Sequence, residues 1–295
     1  MSQLRQKMIR AMQLREFSPK TLQAYVAAVS GLAKYCNKSP DKIDQEEVEN
    51  YLLYLRQELV RSPSTCNVVI SGLKFFYEHT IKDESVKLKL PPRKRTKRLP
   101  EVLSWEEANS VITSPANIKH RVLLMTAYSA GLRISELVNL RLKHIDSSRM
   151  VIRVEQGKGK KDRYTILSQR LLKELRIYWK VCRPENWLFP TKNSTRHISI
   201  TSVQRIYNKA KKKEGITKGK GIHTLRHCFA THLLEAGYDV RKIQLLMGHR
   251  SLSTTMIYLH VSRGGLEMVK SPLDFVDEEK EITSPWEDAD DTISV

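Results

Sequence analysis

Six polar side chains in the second half of the chain, Arg133, Lys158, His223, Arg226, His249 and Tyr258, form a set from which phosphoryl-transfer chemistry can be built. A tyrosine phenol can attack phosphorus and hold the cleaved strand as a phosphodiester, which conserves the energy of the broken bond. Charge then builds on the nonbridging oxygens, where two forked guanidiniums and histidine N–H donors stabilise it. A lysine with a lowered pKa can protonate the departing sugar oxygen. Such a site calls for no metal and no cofactor.

Each residue also has a plainer reading by itself. Arg133 follows the helix-ending Gly131, and Glu136, three residues on, shares its helical face and could orient the guanidinium. Equally, the two could be an ordinary structural ion pair. Lys158 lies between Gly157 and Gly159 at the tip of a tight turn that also carries Lys160, Lys161 and Arg163. That turn reads as a generic phosphate contact as readily as a carrier of an acid, and the residues alone do not choose among its lysines. His223 and Arg226, three apart, open a helix whose free N–H groups attract anions. His227 stands four residues after His223, a spacing similar to that of zinc-binding helices. Thr224 occupies the place where that motif needs glutamate, so no metal is expected. His249 follows the C-cap signal of Gly248, and Tyr258, between Ile257 and Leu259 in a short helix, would by itself be core.

The chain surrounding these residues is strongly basic. Its 295 residues carry a formal charge of +19, with a pI near 9.8. Residues 271–295 hold nine Asp or Glu against one Lys, a local −8, which leaves +27 on residues 1–270. A positive field of this size favours a polyanion. The longest apolar run, residues 122–132, is too short to cross a bilayer and is broken by Thr126, Tyr128 and Ser129, so nucleic acid is preferred over membrane. The N-terminus lacks the continuous apolar stretch of a secretory signal, which points to the cytosol. Four scattered cysteines without a C-x-x-C pair point to reduced, mostly buried thiols.

Length favours two domains. Ser18-Pro19, Asp44 with Glu47, and Ser62-Pro63 each start a helix with a single apolar stripe, and with a short basic helix before them they form a bundle over residues 1–88. Residues 89–101 form a proline-bounded linker whose Arg93, Lys94, Arg95, Lys97 and Arg98 are expected to lie on phosphates. A second capping box, Ser104 with Glu107, opens a domain over residues 102–270. Within it, residues 151–155 and 164–167 read as two strands joined by a Gly-x-Gly turn. Helices are expected to start at Ser168, Thr201, His223, Asp239 and Ser253. The fold class is therefore mainly α with a small β-hairpin, followed by an acidic tail, residues 271–295, expected to be flexible.

Taken together, G-L-R-I-S-E-L, G-K-G-K-K-D-R, H-T-L-R-H-C-F-A-T-H-L-L, G-H-R-S-L-S-T-T and Y-L-H-V occur in the order and approximate spacing of the tyrosine recombinase (phage integrase) family, which the chain resembles from about residue 5 to about residue 275. It is similar to Xer recombinases in its compact layout. Arg263-Gly264-Gly265 and Ser271-Pro272-Leu273-Asp274 resemble the segment after the nucleophile in integron integrases, but the insertion expected of integron integrases is not apparent. The resemblance implies a helical core-binding domain and a catalytic domain that together clamp duplex DNA. It implies that Arg133, His223 and Arg226 hold the scissile phosphate, that Lys158 is the general acid and His249 a further phosphate donor, and that Tyr258 forms a 3′-phosphotyrosine. Glu136 would support the site from behind, while Lys160, Lys161 and Arg163 would contact DNA beside Lys158. The implied assembly is a homotetramer on DNA, or a hetero-oligomer with a second recombinase, exchanging strands through a Holliday junction. A non-catalytic DNA-binding accessory protein and a type IB topoisomerase-like relaxing enzyme are the competing expectations.

Overall fold

The computed structural model describes residues 3–81, 99–155, 162–191, 196–249 and 251–259. The chain divides into two compact units, Met1–Arg95 and Thr96–Val295. Of the cations expected on DNA, Arg93, Lys94, Arg95, Lys97, Arg98, Lys158, Lys160 and Lys161 lie outside the described residues, as does the acidic tail.

The first unit is helical: α1 (Gln3–Gln13), α2 (Pro19–Cys36), α3 (Gln45–Gln57) and α4 (Pro63–Phe75), followed by a π-helical turn, Phe76–Ile81. The helix starts expected from sequence are built as their residue types require. Ser18 and Ser62 accept from the N–H groups of Thr21 and Thr65 with proline in the first turn, and Asp44 and Glu47 close a reciprocal capping box. Each cap satisfies N–H groups that the helix itself cannot, typically worth about 1 kcal/mol. The stripes then meet in one core of Met8, Met12, Leu32, Val48, Leu73 and Phe76.

In the second unit, α5 (Trp105–Thr113) starts from the Ser104–Glu107 capping box, and α6 (Ile118–Ser129) is apolar on nearly every side, with residues 122–127 all buried. A helix of that kind belongs at the centre of a domain. It ends at Gly131, whose φ of +57° turns the chain into α7 (Ile134–Val138). A Cβ there would clash with the Phe229 ring, so both conformation and space require glycine.

Instead of the expected two strands there are three among the described residues, β1 (Ile145–Asp146), β2 (Val151–Val154) and β3 (Arg163–Ile166), antiparallel in that order. With two residues, β1 is too short to show a period of two in sequence. α8 (Gln169–Cys182) follows its Ser168 cap. α9 (Ile200–Lys213) starts ahead of the expected Thr201 because Ser199 is the residue that caps it. α10 (His223–Glu235) and α11 (Val240–Met247), the latter capped by Asp239, start as expected. α12 (Leu252–Thr255) is capped by Ser251 rather than Ser253, and Tyr258 sits in the 3-10 turn Met256–Tyr258 that follows it. Cys66 and Cys228 are buried, Cys36 is partly buried, and Cys182 is exposed, a departure from the mostly buried reading.

Candidate active site

Two helix ends aim their carbonyl groups at one place. The last carbonyls of a helix lack intrahelical partners and carry the negative end of its dipole, so they attract cations. Arg226, on the first turn of α10 and only 5% exposed, donates from Nη1 to Gly131 O at 2.5 Å and from Nη2 to Met247 O at 2.6 Å, bridging the ends of α6 and α11. Gly248, with φ +62° as the C-cap of α11, presents its carbonyl to Arg133 Nη2 at 3.3 Å. Arg133 stands where α7 begins, next to Gly131.

Glu136 lies behind both guanidiniums. Its carboxylate accepts from Arg133 N–H at 2.8 Å and Arg133 Nη1 at 2.7 Å, and stands 3.7 Å from Arg226 Nη1. It is also gripped bidentately by Arg163, at 2.8 and 2.7 Å. Arg163 was expected among the DNA contacts of the turn. Here it points inward from the first residue of β3, and its Nε donates to Leu246 O at 2.9 Å. The physical reason is that a buried carboxylate needs donors, and a guanidinium fork matches it better than water does.

Around Glu136, among the described residues, three guanidiniums face a single carboxylate, which leaves a surplus of two positive charges in a poorly solvated place. Removing charges from water costs several kcal/mol each unless they are compensated, so this arrangement is built to receive an anion. Burial raises the Glu136 carboxyl, but the hydrogen bonds and charge of Arg163 and the donors of Arg133 outweigh it and hold the pKa at about 2. Burial and the adjacent Arg133 lower the Arg226 guanidinium to about 9, and it stays cationic at neutral pH.

Glu136 therefore makes a checkable contribution to stability. Its folded pKa lies below the ordinary 4.5, so the stabilisation is fully present above that pH and is lost as pH falls towards about 2. The size is about 3 kcal/mol. Glu136→Gln should unfold more easily at neutral pH and lose much of the wild type's pH dependence between pH 5 and 2 in denaturant titrations. A parallel pH dependence in both proteins would contradict the pairing.

His249 follows Gly248. Its Nε2 lies 3.1 Å from Arg226 Nη2 and its Nδ1 2.9 Å from Thr255 Oγ1. A guanidinium can only donate, so Nε2 accepts and the Nδ1–H donates to the buried threonine. Burial and the charges of Arg226, Arg133 and Arg163 hold this imidazole neutral, its pKa lowered to about 4. In this arrangement His249 orients Arg226 and offers no free donor of its own. His223 is exposed at the start of α10, and partial desolvation with the charges of Arg226 and Arg133 lowers its pKa.

Tyr258 meets both of its sequence readings. Its ring belongs to a small core cluster with Phe229, Ala230, Ile243 and Met247, and the residue is 4% exposed. Its ring also lies near parallel to that of His249, 6.4 Å away. The hydroxyl emerges from the cluster and stands 3.0 Å from Nδ1 of His227. Burial raises the phenol pKa, while Arg226 and Arg133 pull it down. Thus Arg133, Glu136, His223, Arg226, His249 and Tyr258 come together, and Lys158 lies outside the described residues. His227 and Arg163 join this group through contacts the sequence does not display: the one at the Tyr258 hydroxyl, where its spacing from His223 had suggested only an incomplete zinc motif, the other on Glu136, where its neighbours suggest a surface cation. Among the described residues no group of three His, Cys, Asp or Glu side chains could hold a metal, and no helix could span a membrane.

Residues 101–264 match the phage integrase family, and residues 4–86 match the N-terminal SAM-like domain of phage integrases. A putative integrase/recombinase of Sinorhizobium fredii is 43% identical over 277 residues, covering 94% of this chain and 90% of that protein. Tyrosine recombinase XerC of Lactobacillus leichmannii is 35% identical over 273 residues, covering 84% and 90%. In fold, the chain is similar to XerH site-specific recombinase bound to palindromic difH substrate, with a TM-score of 0.70 at 19% identity, covering 92% of this chain and 82% of that one.

Proposed function

Since the chain belongs to the phage integrase family of tyrosine recombinases, we propose that it cleaves and rejoins duplex DNA at a specific site through a 3′-phosphotyrosine at Tyr258. The observation that carries this reading is a surplus of guanidinium charge around Glu136 whose field reaches the Tyr258 phenol, an anion site within electrostatic reach of a nucleophile.

Arg226 and Arg133 take the nonbridging oxygens of the scissile phosphate, with His223 donating from the rim. Glu136, locked by Arg163, fixes both forks. The Tyr258 oxygen bonds to phosphorus, the bond to the 5′ oxygen breaks, and that oxygen leaves with a proton from a general acid. Lys158 takes the acid role on the strength of its place in the G-K-G-K-K-D-R motif. Rejoining runs the same steps backward. Two such exchanges within a homotetramer, or a hetero-oligomer with a second recombinase, would pass through a Holliday junction, in the cytoplasm, on chromosomal or mobile-element DNA.

Site specificity separates this reading from a relaxing enzyme. Protein-linked fragments trapped with nicked DNA from around the gene should have ends that cluster at one sequence. Ends scattered over any supercoiled plasmid would favour a topoisomerase, and tight binding with no linked fragment a binder.

A further inference from the structure

We propose that His227 is the residue that positions the Tyr258 phenol and accepts its proton at Nδ1 as the bond to phosphorus forms. The proposal rests on the reading of Tyr258 as the nucleophile. His227 sits one residue past Arg226 on α10, so the helix that delivers a phosphate-binding guanidinium also delivers this imidazole. Its Nδ1 stands 3.0 Å from the Tyr258 hydroxyl, with the two rings tilted at 47° and their centroids 5.7 Å apart. An O–H donated to Nδ1 leaves the lone pairs of the phenol oxygen free to turn towards an anion held by Arg226 and Arg133. A nucleophile otherwise packed among Phe229, Ile243 and Met247 has its one polar atom aimed by this bond.

The groups facing His227 are His223 and Arg226 on its own helix, His249 after α11, and Tyr258 on the final turn. Burial, then His223 and Arg226, lower its pKa to about 4, so the ring is neutral and has a lone pair to offer. Two changes bring donor and acceptor closer once DNA arrives. A phosphate seated on Arg226 offsets the charge that depresses His227. The phenol oxygen becomes more acidic as its bond to phosphorus forms, so transfer in concert with attack avoids a free phenolate. The step balances: the O–P bond forms, the proton passes to Nδ1, the bond to the 5′ oxygen breaks, and the leaving oxygen is protonated by the separate general acid. On rejoining, the imidazolium returns its proton to the departing phenol.

The test is single-turnover formation of the covalent adduct by the full chain on nicked DNA, comparing wild type, His227→Ala, His227→Asn and Tyr258→Phe, each checked for its melting transition. His227→Ala should be about a hundredfold slower or worse. His227→Asn keeps an acceptor near the Nδ1 position without basicity and should fall between; it also serves if the alanine variant does not fold. On DNA with sulfur at the bridging 5′ position, where the leaving group needs no acid, the His227→Ala defect should persist, because it lies on the nucleophile side. Added imidazole should partly restore the alanine variant. A His227→Ala rate within about threefold of wild type, a faster rate, or a defect erased by the sulfur substrate would overturn the assignment to Tyr258. A wild type that forms no adduct dependent on Tyr258 would instead overturn the nucleophile reading together with this one.

Discussion

Replacing Tyr258 by phenylalanine should leave DNA affinity within about twofold of wild type while lowering covalent adduct formation by at least about 10⁴-fold, the scale on which nucleophile removal acts in other covalent enzymes. The asymmetry follows from where the ring and the hydroxyl lie. The ring fills a cluster with Phe229, Ala230, Ile243 and Met247, and phenylalanine fills the same volume. Only the hydroxyl and its bond to His227 are lost. Leaving one partly buried imidazole nitrogen without a partner costs about 1–2 kcal/mol, too little to unfold a domain with a core this large. Affinity by gel shift and adduct yield after denaturation measure the two quantities separately. Equal adduct yields in both proteins would remove Tyr258 from the reaction, and lost binding would mean that the tyrosine is structural.

Arg226→Lys should lower the cleavage rate by about 10²–10³-fold while weakening DNA binding by far less. The charge is retained, so the long-range attraction for DNA remains. What disappears is the fork. Arg226 reaches Gly131 O, Met247 O and His249 Nε2 at once, and one ammonium cannot span the ends of α6 and α11 and still face a phosphate in two directions. The loss should appear in the single-turnover rate at saturating DNA and not in the concentration needed to saturate. The lysine variant should also melt lower, since a carbonyl at a helix end loses its partner. An unchanged rate would show that Arg226 is a structural bridge and nothing more.

The helices were legible in the sequence where one residue type has one physical use. Ser18, Asp44, Ser62, Ser104 and Asp239 cap because their short side chains reach the free N–H groups, and Gly131 and Gly248 end helices because they tolerate positive φ. Strand β1 was illegible because two residues carry no period, and Ser199 and Ser251 took over as caps because neighbouring serines and threonines look alike in a string of letters. Of the site, the order of the motifs marked most of its members. What stayed hidden depends on contacts between residues distant in sequence. Arg163 looks like its lysine neighbours until folding brings Glu136, 27 residues earlier, against it. The partner of His227 lies 31 residues later, and only the packing of the final turn on α10 brings them together.

In the proposed reaction the phenol of Tyr258 becomes the covalent link to DNA. The direct measurement is peptide mapping of the wild-type adduct: trap the protein on nicked target DNA in EDTA, digest the DNA and the protein, and locate the residual nucleotide by mass spectrometry. A 3′-linked nucleotide on the peptide containing Tyr258, formed without divalent metal, is the expected result. A nucleotide on any other residue, or an adduct that forms only when metal is restored, would contradict it.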